Sequence, residues 1–186
     1  MRLTGGQDRG RRIRAPRGLN TRPTAAKVRE ALFNILGPPP EGAVLDLFAG
    51  TGALGLEALS RGARRVVFVE RDRDALVALR ENLRELSFSD RSTVVAADVR
   101  TALRRLAVSV PPEDRFSWVF MDPPYANETE SILAELTASN FLAGCAVVVV
   151  EHDQRHRPPD SVGALILTGR REYGETELSF YRTGRS

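Results

Sequence analysis

Apolar and polar positions fall into two alternating rhythms along this chain. From residue 43 onward, short apolar, β-branched runs at 43–47, 65–69, 92–97 and 116–121 are separated by stretches at 53–60, 73–86, 101–106 and 128–138, where apolar residues recur every three or four positions. The first rhythm belongs to strands, the second to helices that turn one face to a core. In 73–86 the stripe is Leu76, Leu79, Leu83 and Leu86, which one side of a helix presents to a sheet. The run 145–151 is apolar almost throughout, as in a strand covered on both faces. Past Pro158 and Pro159, the runs 164–171 and 176–181 meet through Tyr173, Gly174 and Glu175 and read as a hairpin. Alternation of this kind builds a parallel sheet with crossover helices on both faces, and the hairpin adds an antiparallel edge. The pattern predicts an α/β fold with a mostly parallel, seven-stranded sheet.

Upstream, Thr24 caps a helix running to Leu36, with Val28, Ala31, Leu32, Ile35 and Leu36 as its apolar stripe and Gly37 and three prolines ending it. Phe33 lies off that stripe and is expected to pack on the N-terminal arm rather than on substrate. At 186 residues the chain suits one domain with a terminal appendage. The longest clean apolar run, 146–150, falls far short of the roughly 20 residues of a membrane helix. The N-terminus has no apolar signal region, so a cytoplasmic monomer is expected. Cys145 has no partner for a disulfide, and with His152 and His156 it makes no zinc set; no metal is expected. Cys145 and Trp118 read as core residues and the two histidines as surface-loop residues.

Charge adds a partner to this picture. The total is small, 27 basic against 24 acidic residues for +3, but its distribution is uneven. Before the first helix, Arg2, Arg9, Arg11, Arg12, Arg14, Arg17 and Arg22 are opposed only by Asp8. Such a concentration attracts a polyanion; a solvated tail is the other reading. Lys27 and Arg29 sit near a helix N-terminus, where the dipole disfavours positive charge, so a nucleic-acid phosphate or a protein carboxylate must compensate them.

Chemistry concentrates in two loops. Gly50, Gly52 and Gly55 form G-x-G-x-x-G between the first strand and its helix, with Glu70 at the tip of the second strand. That spacing suits an adenosine-containing cofactor, whose ribose hydroxyls the acid accepts. Nicotinamide dinucleotides and S-adenosylmethionine both qualify. Asp46, just before the glycines, favours the second: a carboxylate there repels a pyrophosphate but holds an ammonium group, directly or through water. Asp98, after the third strand, is placed to accept from an adenine amine or to cap the next helix. The second loop is Asp122-Pro123-Pro124-Tyr125, which follows an apolar strand. A rigid loop at the carboxyl edge of such a sheet presents groups to a ligand. The Asp122 carboxylate and the Pro123 carbonyl can accept the two hydrogens of a nucleobase amine, aim its lone pair at a methyl donor and stabilise the charge that develops on nitrogen. Tyr125 stacks on the unpaired or flipped base. By this chemistry alone guanine and adenine are equal candidates.

These two loops, with Arg22-Pro23-Thr24, the run 28–36 and the run 55–63, resemble the RsmD-type 16S rRNA guanine-N2 methyltransferases, and the resemblance spans the chain. It implies a Rossmann-like class I methyltransferase with a small N-terminal β-hairpin extension, residues 1–22 contacting RNA and 23–186 forming the methyltransferase domain. It implies S-adenosylmethionine as cofactor and the N2 amine of guanine 966 in 16S rRNA, or in the small ribosomal subunit, as target. Carried over residue by residue, it gives Asp46, Phe48, Gly50, Thr51, Gly52, Glu70, Arg71, Asp98 and Val99 to the cofactor. Asp122, Pro123, Pro124 and Tyr125 go to the reaction, and Arg9, Arg11, Arg12, Arg14, Arg17, Arg22, Lys27 and Arg29 to RNA. The rival readings are a DNA adenine-N6 methyltransferase, a non-catalytic RNA-binding ribosome-assembly factor and a nicotinamide-dependent oxidoreductase.

Overall fold

The computed structural model describes residues 1–15, 23–123 and 128–184. In chain order the elements are α1 (Pro23–Leu36), β1 (Ala43–Leu47), α2 (Ala53–Ser60), β2 (Val66–Glu70), α3 (Arg73–Glu85), β3 (Ser92–Ala96), α4 (Val99–Ser109), β4 (Phe116–Met121), α5 (Thr129–Ala138), β5 (Leu142–Asp153), β6 (Ser161–Val162), β7 (Leu165–Tyr173) and β8 (Thr176–Thr183). They form one sheet in the order β3-β2-β1-β4-β5-β8-β7-β6. Strands β1 to β5 pair in parallel, and β8 enters antiparallel between β5 and β7. The sheet therefore has eight strands, one more than the sequence pattern predicts. The extra strand, β6, is two residues long and pairs only with β7, too short to carry a period of its own.

Strand alternation explains the two cores. Val44, Val66, Phe68, Trp118 and Phe120 face one way, into a layer with Leu32, Phe33, Leu56, Leu79 and Leu83 from α1, α2 and α3. Leu45, Leu47, Val67, Val69, Val119 and Met121 face the other, against Leu103 and Leu106 of α4 and Ile132, Leu133 and Leu136 of α5. The chain winds outward from β1 in one direction and from β4 in the other, so the switch point lies between these two strands. Open α/β sheets bind ligands beyond the carboxyl ends of strands at such a point.

Three local expectations change. The buried side of α1 carries Val28, Leu32 and Phe33, whereas Ile35 is 45% exposed. Phe33 meets Trp118 and Phe120 of β4 edge-on, with ring centroids 6.0 and 5.6 Å away. It packs on the sheet because the helix is rotated from its most apolar stripe to seat this ring, with the Arg61 guanidinium 5.0 Å above it. Cys145 is exposed, since it lies in an irregularity of β5, between the pair Leu142–Phe116 and the pair Val147–Trp118, where the register with β4 shifts. His152 is no loop residue but lies buried in β5, its ring nitrogens bonded to the Asp153 carbonyl (2.9 Å) and the Ser179 hydroxyl (2.7 Å). Burial lowers its pKa and fits a neutral structural role.

Residues 1–13 fold back on themselves. Arg2 and Arg12 form an antiparallel bridge, and backbone bonds join Leu3 to Arg11 and Gly10 and Ile13 to Met1. Leu3 and Ile13 are each only 2% exposed and share the layer beneath α1, α2 and α3. This segment is thus packed rather than trailing. Its clasp is Glu57 of α2, fully buried, which accepts from the Thr4 N–H (2.9 Å), the Thr4 hydroxyl (2.8 Å), Arg61 (3.0 Å) and Arg29 (3.1 Å). Burial alone would raise the Glu57 pKa, but these donors and charges outweigh it and hold the carboxyl below its ordinary value.

Candidate cofactor and substrate site

Beyond the carboxyl ends of β1, β2 and β4 lies a cavity of about 290 Å3 lined by Phe48, Val69, Glu70, Arg71, Ala97, Asp98, Val99, Arg100, Asp122, Glu128 and Ile132. It gathers side chains from segments more than seventy residues apart in sequence.

From the loop after β1 only Phe48 is in this lining; Gly50, Thr51 and Gly52, expected at the cofactor, are not. Gly52 has φ 82°, a left-handed conformation that L side chains rarely adopt, and it caps α2. Gly55 serves close packing instead: a Cβ there would stand 2.3 Å from the Phe68 ring, so α2 approaches β2 only because this side chain is absent. Phe48 also has a positive φ of 58°. For a bulky residue this conformation costs of order 1–3 kcal/mol, and such strain concentrates at functional turns. Thr51 is buried, and its carbonyl accepts from the side chain of Asn82 (3.1 Å). Asn82, fully buried on α3, also exchanges two bonds with the backbone of Arg14. One amide thereby ties the cofactor loop to the N-terminal segment.

The acids differ in how they are held. Glu70 accepts from three backbone N–H groups, Gly50 at 2.7 Å through one oxygen and Arg71 and Asp72 at 2.7 and 2.8 Å through the other. A carboxylate offers about four lone-pair sites, so a ribose diol that uses two of them must displace or share one of these bonds. Asp98 caps α4 by accepting from the Thr101 N–H (3.0 Å) while also lining the cavity. The capping reading of this side chain holds, and its place on the cavity wall leaves the carboxylate within reach of a ligand. Hydrogen bonds from Thr101 lower its pKa, so it stays an acceptor. Asp46 does not line the cavity; it is 2% exposed behind the glycine loop and accepts from the Gly55 N–H (2.9 Å). Burial raises its pKa to about 8, the Gly55 bond opposes this, and the charges of Asp122 and Glu70 add to it. Asp122 is open to the cavity on one side, but loss of hydration on the others pushes its pKa up to about 6.

The acidic lining supports a cationic ligand and disfavours a pyrophosphate. Of the basic residues in the wall, Arg100 is already paired with Glu135 and bonded to the Ser131 hydroxyl (2.7 Å). Sequence spacing did not mark Arg100, Glu128 or Ile132, which reach the cavity from α4, the residue before α5 and α5 only through the packing of those helices. Among the described residues no cluster of His, Cys, Asp and Glu could hold a metal ion. Pro124, Tyr125, Arg17 and Arg22 lie outside the described residues.

Of the basic residues expected to meet RNA, Arg9, Arg11, Arg12, Arg14 and Lys27 are exposed. Arg11 bonds Asp8 (2.9 Å), and Arg14 pairs with Glu85 (2.5 Å) and Glu81 (3.7 Å). Arg29 is placed differently. It is 3% exposed, paired with Glu57 and bonded to the Arg2 carbonyl. A protein carboxylate, not a phosphate, compensates its charge.

The family model described as Conserved hypothetical protein 95 matches residues 1–182. The chain belongs to this RsmD-type family. It is 37% identical over 184 residues to the ribosomal RNA small subunit methyltransferase D of Escherichia coli K12, covering 98% of this chain and 89% of that one. The Haemophilus influenzae protein of the same name is 35% identical over 156 residues, 83% of this chain and 79% of that one. A hypothetical protein of Thermus thermophilus superposes with a TM-score of 0.80 at 34% identity, over 97% of this chain and 98% of its own. A more distant structure, the methyltransferase SMU.776 complexed with SAH, has a TM-score of 0.69 at 11% identity over 85% of this chain and 49% of its own; it shares the Rossmann-like fold.

Proposed function

We propose that this protein transfers a methyl group from S-adenosylmethionine to the exocyclic N2 amine of a guanine in 16S ribosomal RNA, guanine 966 in the numbering implied by its family. Its membership among ribosomal RNA small subunit methyltransferases supports the substrate class. The observation that carries the chemistry is Asp122 on the wall of the acid-lined cavity, at the switch point of the sheet.

The residues present suit the cofactor. Glu70, at the tip of β2, takes ribose hydroxyls by sharing or giving up one of its three backbone bonds; Asp98 and the backbone around Val99 suit an adenine; Phe48 adds an apolar face. Asp46 and Asp122 supply negative charge toward a sulfonium and an ammonium group, and ionisation of Asp46 is favoured when such a cation is near. When bound, S-adenosylmethionine supplies an electrophilic methyl group and leaves as S-adenosylhomocysteine.

The rest is done by the chain. An aromatic amine is a poor nucleophile because its lone pair is delocalised into the ring. Asp122 and the Pro123 carbonyl accept its two hydrogens, turn the lone pair toward the donor and stabilise the positive charge on nitrogen as the new bond forms. The extra proton leaves after transfer, so no histidine is needed, which agrees with the structural bonding of His152. Tyr125 gives the base an aromatic face in this reading, and Arg9, Arg11, Arg12, Arg14 and Lys27 meet RNA phosphates.

Asp122→Ala tests the assignment. Methyl transfer to small-subunit rRNA should fall by on the order of 10^2–10^3-fold or more, with S-adenosylmethionine affinity by calorimetry nearly unchanged. Full activity in this variant would remove Asp122 from the mechanism.

A further inference from the structure

Beyond Asp122 the sheet continues to β5, and its register sets a second carboxylate beside the first. Met121 of β4 pairs with Val150 of β5. The residues that follow, Asp122 just past β4 and Glu151 within β5, therefore stand side by side, at a backbone spacing of about 4.8 Å. Trp118 and Phe120 on β4, and Val147 and Val149 on β5, belong to the apolar layer beneath α1, α2 and α3. Alternation by two turns Asp122 and Glu151 to that same side. Asp122 borders the cofactor cavity, whereas Glu151 is not part of its lining. In the strand order β2-β1-β4-β5 it lies on the far side of Asp122 from Glu70, where a substrate rather than the cofactor would be seated. It is half-buried, and no hydrogen-bond or ion-pair partner for its carboxylate occurs among the described residues. Neither the glycine loop nor the Asp-Pro-Pro-Tyr segment accounts for it.

The two base amines differ in their neighbours. In guanine the ring nitrogen beside the N2 amine, N1, carries a hydrogen and is a donor; in adenine the ring nitrogen N1 beside the N6 amine is a bare acceptor. A site that grips the amine through Asp122 and Pro123 accepts either base until something tests that neighbouring nitrogen. We propose that Glu151 performs this test: its carboxylate accepts the N1–H of guanine while Asp122 and the Pro123 carbonyl accept the two N2 hydrogens. The inference rests on the methyl-transfer function proposed above and supplies the base preference that the amine grip alone lacks.

The energetics favour this pairing. Burial and the Asp122 charge push Glu151 up to about 7, and burial pushes Asp122 up to about 6. The adjacent donors of one guanine edge offset that cost for both carboxylates at once. An adenine would bring its N1 lone pair against the ionised Glu151 carboxylate, and the two are satisfied only where the carboxyl takes up a proton. Sites built to bond a polar hydrogen reject analogues lacking it far more strongly than apolar pockets reject a change of size.

2-Aminopurine separates the two roles, since it keeps the 2-amine but has a bare N1. The experiment measures kcat/KM for methylation of small-subunit rRNA carrying guanine or 2-aminopurine at the target position, with the wild-type protein and with Glu151→Gln. The wild type should prefer guanine by roughly a hundredfold or more. In Glu151→Gln, whose amide can donate to a bare N1, most of this preference should vanish, with guanine turnover falling and 2-aminopurine turnover rising. Because the readout is a ratio within one variant, partial loss of folded protein does not affect it. Transfer to guanine by the wild type with the same preference in Glu151→Gln overturns the inference alone. A wild type that methylates neither 2-amine overturns the proposed function and the inference with it.

Discussion

Asp46 sits 2% exposed behind the glycine loop with one backbone donor, and its carboxyl is raised to about 8. Its folded pKa lies above the ordinary carboxylate value of an unfolded chain, so between about pH 4 and pH 8 the folded state holds a proton that the unfolded state has lost. The stabilisation is complete below that window and fades as pH rises through it. Asp122 and Glu151 act in the same direction. Wild-type stability should therefore decline from pH 5 to pH 8, and Asp46→Asn should flatten the decline by on the order of 1 kcal/mol per pH unit at most. Denaturant unfolding at several pH values measures this, and parallel pH profiles would remove Asp46 as the cause. At this scale the sequence was informative about position where a residue follows a strand: Glu70, Asp98 and Asp122 all border the cavity. For Arg29 it offered a phosphate or a carboxylate without choosing between them, because pairing with Glu57, 28 residues away, exists only after α1 and α2 have packed.

Elements were legible wherever a period was long enough to register. The bounds of β1, α2 and β4 match the pattern residue for residue, since each is closed by a loop of distinct composition. The rotation of α1 was not legible: its buried side includes Arg29, a charge that apolar periodicity counts as surface, and excludes Ile35. That rotation is held by Glu57, which joins α1, α2 and the N-terminal segment. Glu57→Gln leaves Arg29 buried without its counter-charge and should cost roughly 3–5 kcal/mol in unfolding free energy; a loss under about 1 kcal/mol would mean that the apolar contacts of Leu3 and Ile13 hold the segment alone. Gly55→Ala should also destabilise the protein, because its methyl group meets the Phe68 ring. Cofactor affinity should fall with it, as α2 and the glycine loop shift together.

Over the whole molecule, the winding order places the switch point between β1 and β4, and with it Asp46 and Asp122, which end or follow those two strands. No single motif encodes that order; right-handed crossovers narrow the choices without fixing it. Surface charge is the second global property. Phosphate contacts release counterions, each adding about 0.7–0.9 to the slope of log affinity against log salt. Replacing Arg9, Arg12 and Lys27 together by alanine should lower that slope by about 2–3, whereas Arg29→Met should leave it unchanged while lowering stability. Equal slopes for the wild type and the triple variant would assign RNA binding to another face. The most direct test of the central claim is nucleoside mass spectrometry of small-subunit rRNA after incubation with the purified protein and S-adenosylmethionine. One new N2-methylguanosine is expected, absent with Asp122→Ala; N6-methyladenosine in its place, or no methylated nucleoside at all, would overturn the proposed function.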